Sequence, residues 1–203
     1  MRSREDFLRY LEADRQALGI ERVRPRLFGD EIWKFQRLLR AVEFSETCRR
    51  AWYHRPGRTL LFLRFHLASI RLGFTIPPHV FGPGLAIADR GTIVVNSSAR
   101  IGSGCRIGTC VNIGTTAGKD TDAPTIGADV RIGPGAMIFG PISIADSITI
   151  EPNAVVNRSF SKPGIRIAGA PAREVPTGNK GDLAVTGSDS ALTLAISPGT
   201  GLA

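Results

Sequence analysis

The chain has 203 residues, 42% of them hydrophobic, enough apolar material for one core and a modest second layer. A formal net charge of +8 raises nucleic acid as a partner, but the arginines at 22, 24, 26, 37, 40, 49, 50, 55 and 58 are strung along helical segments without base-stacking aromatics on a sheet, so no nucleic-acid partner is expected. Three cysteines without a Cys-x-x-Cys pair fit a reducing cytoplasm, and neither a secretory signal nor a transmembrane segment is expected.

Residues 1–75 hold nearly all the aromatics and read as an N-terminal helical domain. Phe7, Leu8, Leu11 and Leu18 mark a first amphipathic helix closed by Gly19. Asp30 is expected to cap a second helix carrying Ile32, Trp33, Phe35, Leu38, Leu39 and Val42. Gly57 is expected to end the break before a third, spanning Thr59 to Leu72. These helices have little core of their own, so they should pack on a larger layer or on another subunit, and Trp33 and Phe35 read as core residues, not as ligand-binding ones. His54 and His66 read as packing or surface residues of the helical segments.

Residues 76–176 follow a different rule. One apolar β-branched residue recurs at every sixth position: Val95, Ile101, Ile107 and Ile113, then Ile126, Ile132, Ile138, Ile144, Ile150 and Val156. A helix would scatter these marks over different faces. The residue two before each mark is apolar and mostly small, and side chains two apart share one face of a strand. The residue after the mark is often Gly or Asn, as at Gly102, Gly108, Gly127 and Gly133, which predicts positive-φ corners there. Strand and corner repeating at a fixed period make a mainly β chain, a parallel hexapeptide solenoid; a sandwich would place its turns every eight to twelve residues or so.

Ile126 comes thirteen residues after Ile113 where six were due, so seven extra residues bulge out between Gly114 and Thr125. A solenoid has no need of this excursion, and loops on rigid scaffolds tend to carry function. Residues 177–203, rich in Gly, Ser, Thr and Ala and devoid of aromatics, are expected to form a disordered tail.

Four stretches resemble the serine acetyltransferase family: G-P-G-L-A-I-A-D-R-G-T-I-V-V-N at 82–96, the extruded loop with Gly118, Lys119 and Pro124, I-G-P-G-A-M-I-F-G at 132–140, and G-A-P-A-R-E-V at 169–175. D-E-I-W-K-F-Q-R-L-L-R at 30–40 is similar to the branch associated with cell-surface polysaccharide genes. The resemblance implies a left-handed parallel β-helix that forms homotrimers or a larger homo-oligomer, with acetyl-CoA in the groove between neighbouring solenoids and no metal. Handedness comes from the resemblance alone, since ordinary parallel crossovers are right-handed. Matching positions for the acyl donor are Gly114, Thr115, Lys119, Gly133, Ala136, Ala154 and Arg173.

The family's catalytic histidine matches Asp89, and an arginine and a histidine that cysteine-biosynthetic members carry in the loop match Asp122 and Ala123. His79 is the fallback base. The solenoid has no cluster of three imidazoles, which excludes the zinc site of a solenoid carbonic anhydrase. The activity that the resemblance implies is acetyl-CoA-dependent O-acetylation of L-serine or of a serine-like or saccharide hydroxyl. The alternatives are a sugar or amino-sugar acetyltransferase of surface polysaccharide synthesis and a catalytically silent CoA-binding homologue.

Overall fold

The computed structural model describes residues 3–48, 55–116 and 122–176. Its first helix, α1 (Arg4–Ala17), starts where the Ser3 hydroxyl accepts the Asp6 N–H and ends at Leu18, with Gly19 left-handed at φ 67° as the sequence suggests. Helix α2 (Glu31–Cys48) follows Asp30, but Asp30 does not cap it. At φ 56° its side chain turns back into the preceding loop, where the carboxylate accepts the Arg26 N–H and pairs with Arg22. Those two contacts, the amide first, hold the Asp30 carboxyl below its usual range. Helix α3 (Arg55–Leu72) begins earlier than expected, so Gly57 lies in its first turn instead of ahead of it.

Beyond α3 the described residues make fourteen short strands in three sheets. The first sheet stacks β1 (Phe74–Thr75), β3 (Ile93–Val95), β6 (Val111–Gly114), β9 (Met137–Phe139) and β12 (Val155–Val156). In the second lie β4 (Arg100–Ile101), β7 (Thr125–Ile126) and β10 (Ser143–Ile144). The third runs β2 (Ala86–Ile87), β5 (Arg106–Ile107), β8 (Arg131–Ile132), β11 (Thr149–Ile150) and β13 (Arg166–Ala168), and β14 (Arg173–Val175) turns back antiparallel on its last strand. All other pairings are parallel, and from β2 to β12 the chain visits the three sheets in rotation.

The six-residue beat is the vertical register of this coil. Val95 pairs with Ile113, Ile113 with Ile138 and Ile138 with Val156, while Ile101, Ile126 and Ile144 form a second column and Ile107, Ile132 and Ile150 a third. All ten marks are buried, in one core with their small companions Ala99, Cys105, Ala136 and Ala154. The coil also runs past the regular series at both ends. Phe81 bridges to Ile101 and Ile87 pairs with Ile107 below, while Phe160 bridges to Ile144 and Ile167 pairs with Ile150 above.

The glycines after the marks have a different cause from the one their type suggests. Positive φ falls two residues later, at Gly104, Cys110, Asp129, Gly135, Ser147 and Asn153 (55° to 72°). Gly102, Gly108, Gly127 and Gly133 are required by stacking, because a Cβ on any of them would stand 2.6 to 2.8 Å from backbone atoms of the next coil.

Helix α2 closes the lower end of the coil. Phe35 and Leu39 join the core beside Phe74 and Ile76, and Phe35 stacks on Phe65 of α3. A buried ionic cluster fixes the junction. Arg40, fully buried, donates to Asp14 (2.8 Å), Glu43 (3.0 Å) and the carbonyls of Phe81 (2.9 Å) and Gly82 (2.6 Å). Asp14 in turn accepts the N–H groups of Gly84 and Leu85, both at 2.9 Å. Asp14, Arg40 and Glu43 each have a partner outside their own helix, the condition under which buried charge is tolerated, whereas Gln36, which donates to the Leu85 carbonyl at the same joint, leaves its Oε1 without a partner.

Candidate active site

The coil has three edges, and the candidate residues fall on two of them and at its end. Between the third and first sheets lies the corner Ala88–Thr92, the foot of an edge that continues upward through Gly108–Cys110, Gly133–Gly135 and Glu151–Asn153. The Ala88–Thr92 corner is longer than those above it and is held on both sides. Ala88 N–H donates to the Ile107 carbonyl, Gly91 N–H to the Leu72 carbonyl at the end of α3, and Arg90 pairs with Glu31 of α2 at 2.6 Å. Gly91, at φ 138°, also leaves room for the Thr109 hydroxyl directly over it. The clamp leaves Asp89 exposed, with no hydrogen-bond partner among the described residues.

Gly133 stands on the same edge two coils above Asp89, about 10 Å up at the usual strand spacing. Ala136 and Ala154 belong to that edge as well, but both are wholly buried and their N–H and C=O groups are used within the coil. They shape the wall from inside and offer no outer surface.

The edge between the first and second sheets carries the extruded loop. Gly114 ends β6, where its carbonyl accepts the Gly140 N–H, and Thr115 is half-buried beside it. Lys119 and Gly118 lie outside the described residues. Where the loop returns, Ala123 packs against the core and Pro124 is buried. His79 sits on this same edge two coils below. Its backbone is left-handed (φ 64°), its N–H donates to Glu43 at 2.8 Å, and its Nε2 lies 2.8 Å from the Glu46 carboxylate. The Glu46 carboxylate orients the ring, as an acidic partner does for an imidazole that moves a proton. An open groove of about 380 Å³ beside it is lined by Tyr10, Arg100 and Thr125.

Arg173 is exposed on β14 at the upper end of the third sheet. One chain therefore groups Asp89 with Gly133 and His79 with Gly114 and Thr115, and the width of the first sheet separates the two groups.

Several neighbours of the candidate residues carry no signal in the spacing of the sequence. Glu46 and Glu43 hold His79, yet at helical spacing they read as a solvated face. On the outside of the third sheet Arg106 and Arg131 are exposed direct neighbours, with no ion pair among the described residues. Like charges in register on a sheet disfavour each other, so this pair presents uncompensated positive charge on the outer face. Burial pushes the Cys105 thiol up to about 12, which makes it core filler. Among the described residues no group of three His, Cys, Asp or Glu is placed to hold a metal ion.

No family model matches the sequence, and no curated protein matches it. Solved structures do. Serine acetyltransferase from Neisseria gonorrhoeae in complex with serine matches with a TM-score of 0.66 and 25% identity over 86% of this chain and 71% of that one. The soybean serine acetyltransferase apoenzyme gives 0.65 and 25% over 84% and 69%. A serine acetyltransferase in complex with CoA gives 0.62 and 22% over 84% and 68%. Coverage of this extent takes in the helices as well as the coil.

Proposed function

We propose that this chain is an acetyl-CoA-dependent O-acetyltransferase of serine acetyltransferase type, a left-handed parallel β-helix acting on the hydroxyl of L-serine or of a serine-like or saccharide acceptor in the cytoplasm. The observation that carries this is the likeness to the Neisseria gonorrhoeae serine acetyltransferase, 25% identical over 86% of the chain. The single break in the six-residue beat, between Ile113 and Ile126, supports it by supplying an excursion beside an otherwise regular wall.

In acetyl transfer a base takes the acceptor proton as its oxygen attacks the thioester carbonyl, the C–S bond breaks, and the CoA sulfur leaves as a thiol once protonated. Asp89 is the proposed base, since its corner is clamped while its carboxylate faces outward. His79 is a second base, favoured by its Glu46 partner and by the edge it shares with the loop. Gly114, Thr115, Gly133, Lys119 and Arg173 would line the donor's path, and the unpaired charge of Arg106 and Arg131 suits its phosphates.

The separation of Asp89 from Gly114 and Thr115 within one chain motivates a homotrimer. Prisms packed side by side set one edge of a copy against a different edge of its neighbour, which makes one groove from two half-sites.

Incubating the purified protein with acetyl-CoA and a panel of L-serine, saccharides and amino sugars, and following thiol release, tests the proposal. Release with L-serine would assign it to cysteine biosynthesis, and release with a saccharide hydroxyl to polysaccharide biosynthesis. Release only with amino sugars would make it an N-acetyltransferase. CoA binding without release from any acceptor would reduce it to a silent homologue.

A further inference from the structure

The outer face of α3 is apolar and bare. Leu60, Leu63, Leu67 and Ile70 fall at intervals of three and four on one stripe and are 52% to 65% exposed. Leu67 borders an open groove of about 440 Å³ between α2 and α3, floored by Phe35, Leu38 and Ala68. Leu27 and Phe28, 84% and 86% exposed, stand on the loop whose Pro25 lines the same groove. Water-facing apolar area on this scale marks a surface with a partner.

Charge selects the partner. Lys34, Arg37, Arg64 and Arg71 rim the groove against one acid, Glu31, which already pairs with Arg90. From Thr47 to Ala88 the sequence has no Asp or Glu and six arginines. If two copies of α3 met along the leucine stripe, the flanking positions would bring Arg64, His66 and Arg71 together, with no acidic residue of α3 to offset them. An anionic surface meets both demands, taking the apolar side chains below its headgroups and the guanidinium groups at its phosphates. No described helix is long and apolar enough to cross a membrane, so the contact is along the surface.

We infer that α3, with the loop before α2, docks this protein on an anionic phospholipid bilayer. The inference does not depend on acetyl transfer, because no residue in it belongs to the proposed catalytic machinery.

Sedimentation of the full chain with vesicles of equimolar phosphatidylglycerol and phosphatidylcholine, against vesicles of phosphatidylcholine alone, tests it. The protein should pellet with the anionic vesicles only, and salt should weaken the binding. Leu63→Glu with Leu67→Glu should lower the partition coefficient by at least roughly tenfold, and Arg64→Glu with Arg71→Glu by roughly fivefold per arginine. All four side chains are exposed, so circular dichroism and the melting temperature should stay at wild-type values. Failure to pellet with anionic vesicles, equal pelleting with neutral ones, or undiminished binding by the leucine variant would each overturn the inference. A fall in light-scattering mass of the leucine variant, without vesicle binding by the wild type, would assign the face to a second copy instead.

Discussion

Replacing Arg40 by methionine keeps a long side chain in place and removes one charge from the joint between the helices and the coil. The guanidinium is fully buried and holds two carboxylates and the carbonyls of Phe81 and Gly82. After the change Asp14 keeps the N–H groups of Gly84 and Leu85, and Glu43 keeps that of His79. Their negative charges lose the cation between them, and two carbonyls lose their donor. Breaking a buried pair from one side costs about 3–5 kcal/mol, which for a chain of this size lowers the melting temperature by roughly 10 °C. Trp33 is buried in α2 and reports on the helical layer, so its fluorescence during urea unfolding, in a Trp52→Phe background, is the assay. The triple variant Asp14→Asn, Arg40→Met, Glu43→Gln should recover part of the loss, because it leaves no buried charge. A cost below about 1 kcal/mol for Arg40→Met, or a triple variant no better than the single one, would refute the view that this cluster clamps the helices to the coil.

The thiols give a second prediction. Cys48 and Cys110 are exposed while Cys105 is buried with its pKa pushed up to about 12, so native protein at pH 8 should titrate two thiols with a disulfide reagent and a third only on unfolding; three fast thiols would contradict the packing. Because the folded thiol ionises later than an unfolded one near 8.5, Cys105 also makes stability fall as pH rises from about 8.5 toward 12, a trend that Cys105→Ala should flatten in alkaline melts. Gly102→Ala forces a Cβ to 2.6 Å from the Gly127 carbonyl carbon and should cost about 1–3 kcal/mol in urea unfolding, whereas Gly57→Ala, with open space around it in the first turn of α3, should be neutral or stabilising by up to about 1 kcal/mol. Asp89→His should raise turnover by up to roughly twentyfold, taking a Brønsted slope of about one-half over the difference between the two side chains' ordinary pKa values. An unchanged rate, with activity lost instead in His79→Ala, would move the proton to His79.

The regular part of the coil was legible because its period is a local property. Six residues make one side of the coil, and the residue three marks on lands directly above, so Val95 to Val156 announce their own register. Ile87 and Ile167 escaped the beat because the corners beside them differ in length. Trp33 and Phe35 read as core from their helical spacing, and both are buried.

The strand faces, the break after Ile113 and the helical start of the chain are readable one residue after another, since each is written in spacing along a few neighbouring positions. Tertiary structure alone decided why Gly102 and Gly133 must lack a side chain, since the atoms they avoid belong to the next coil. It decided that Asp30 serves a loop and that Arg40 is a clamp, because Asp14 and Gly82 approach it from elements distant in the chain. It also set Asp89 and Gly114 on different edges, a separation that no one-dimensional pattern encodes because it arises only when the chain has been wound through three sheets.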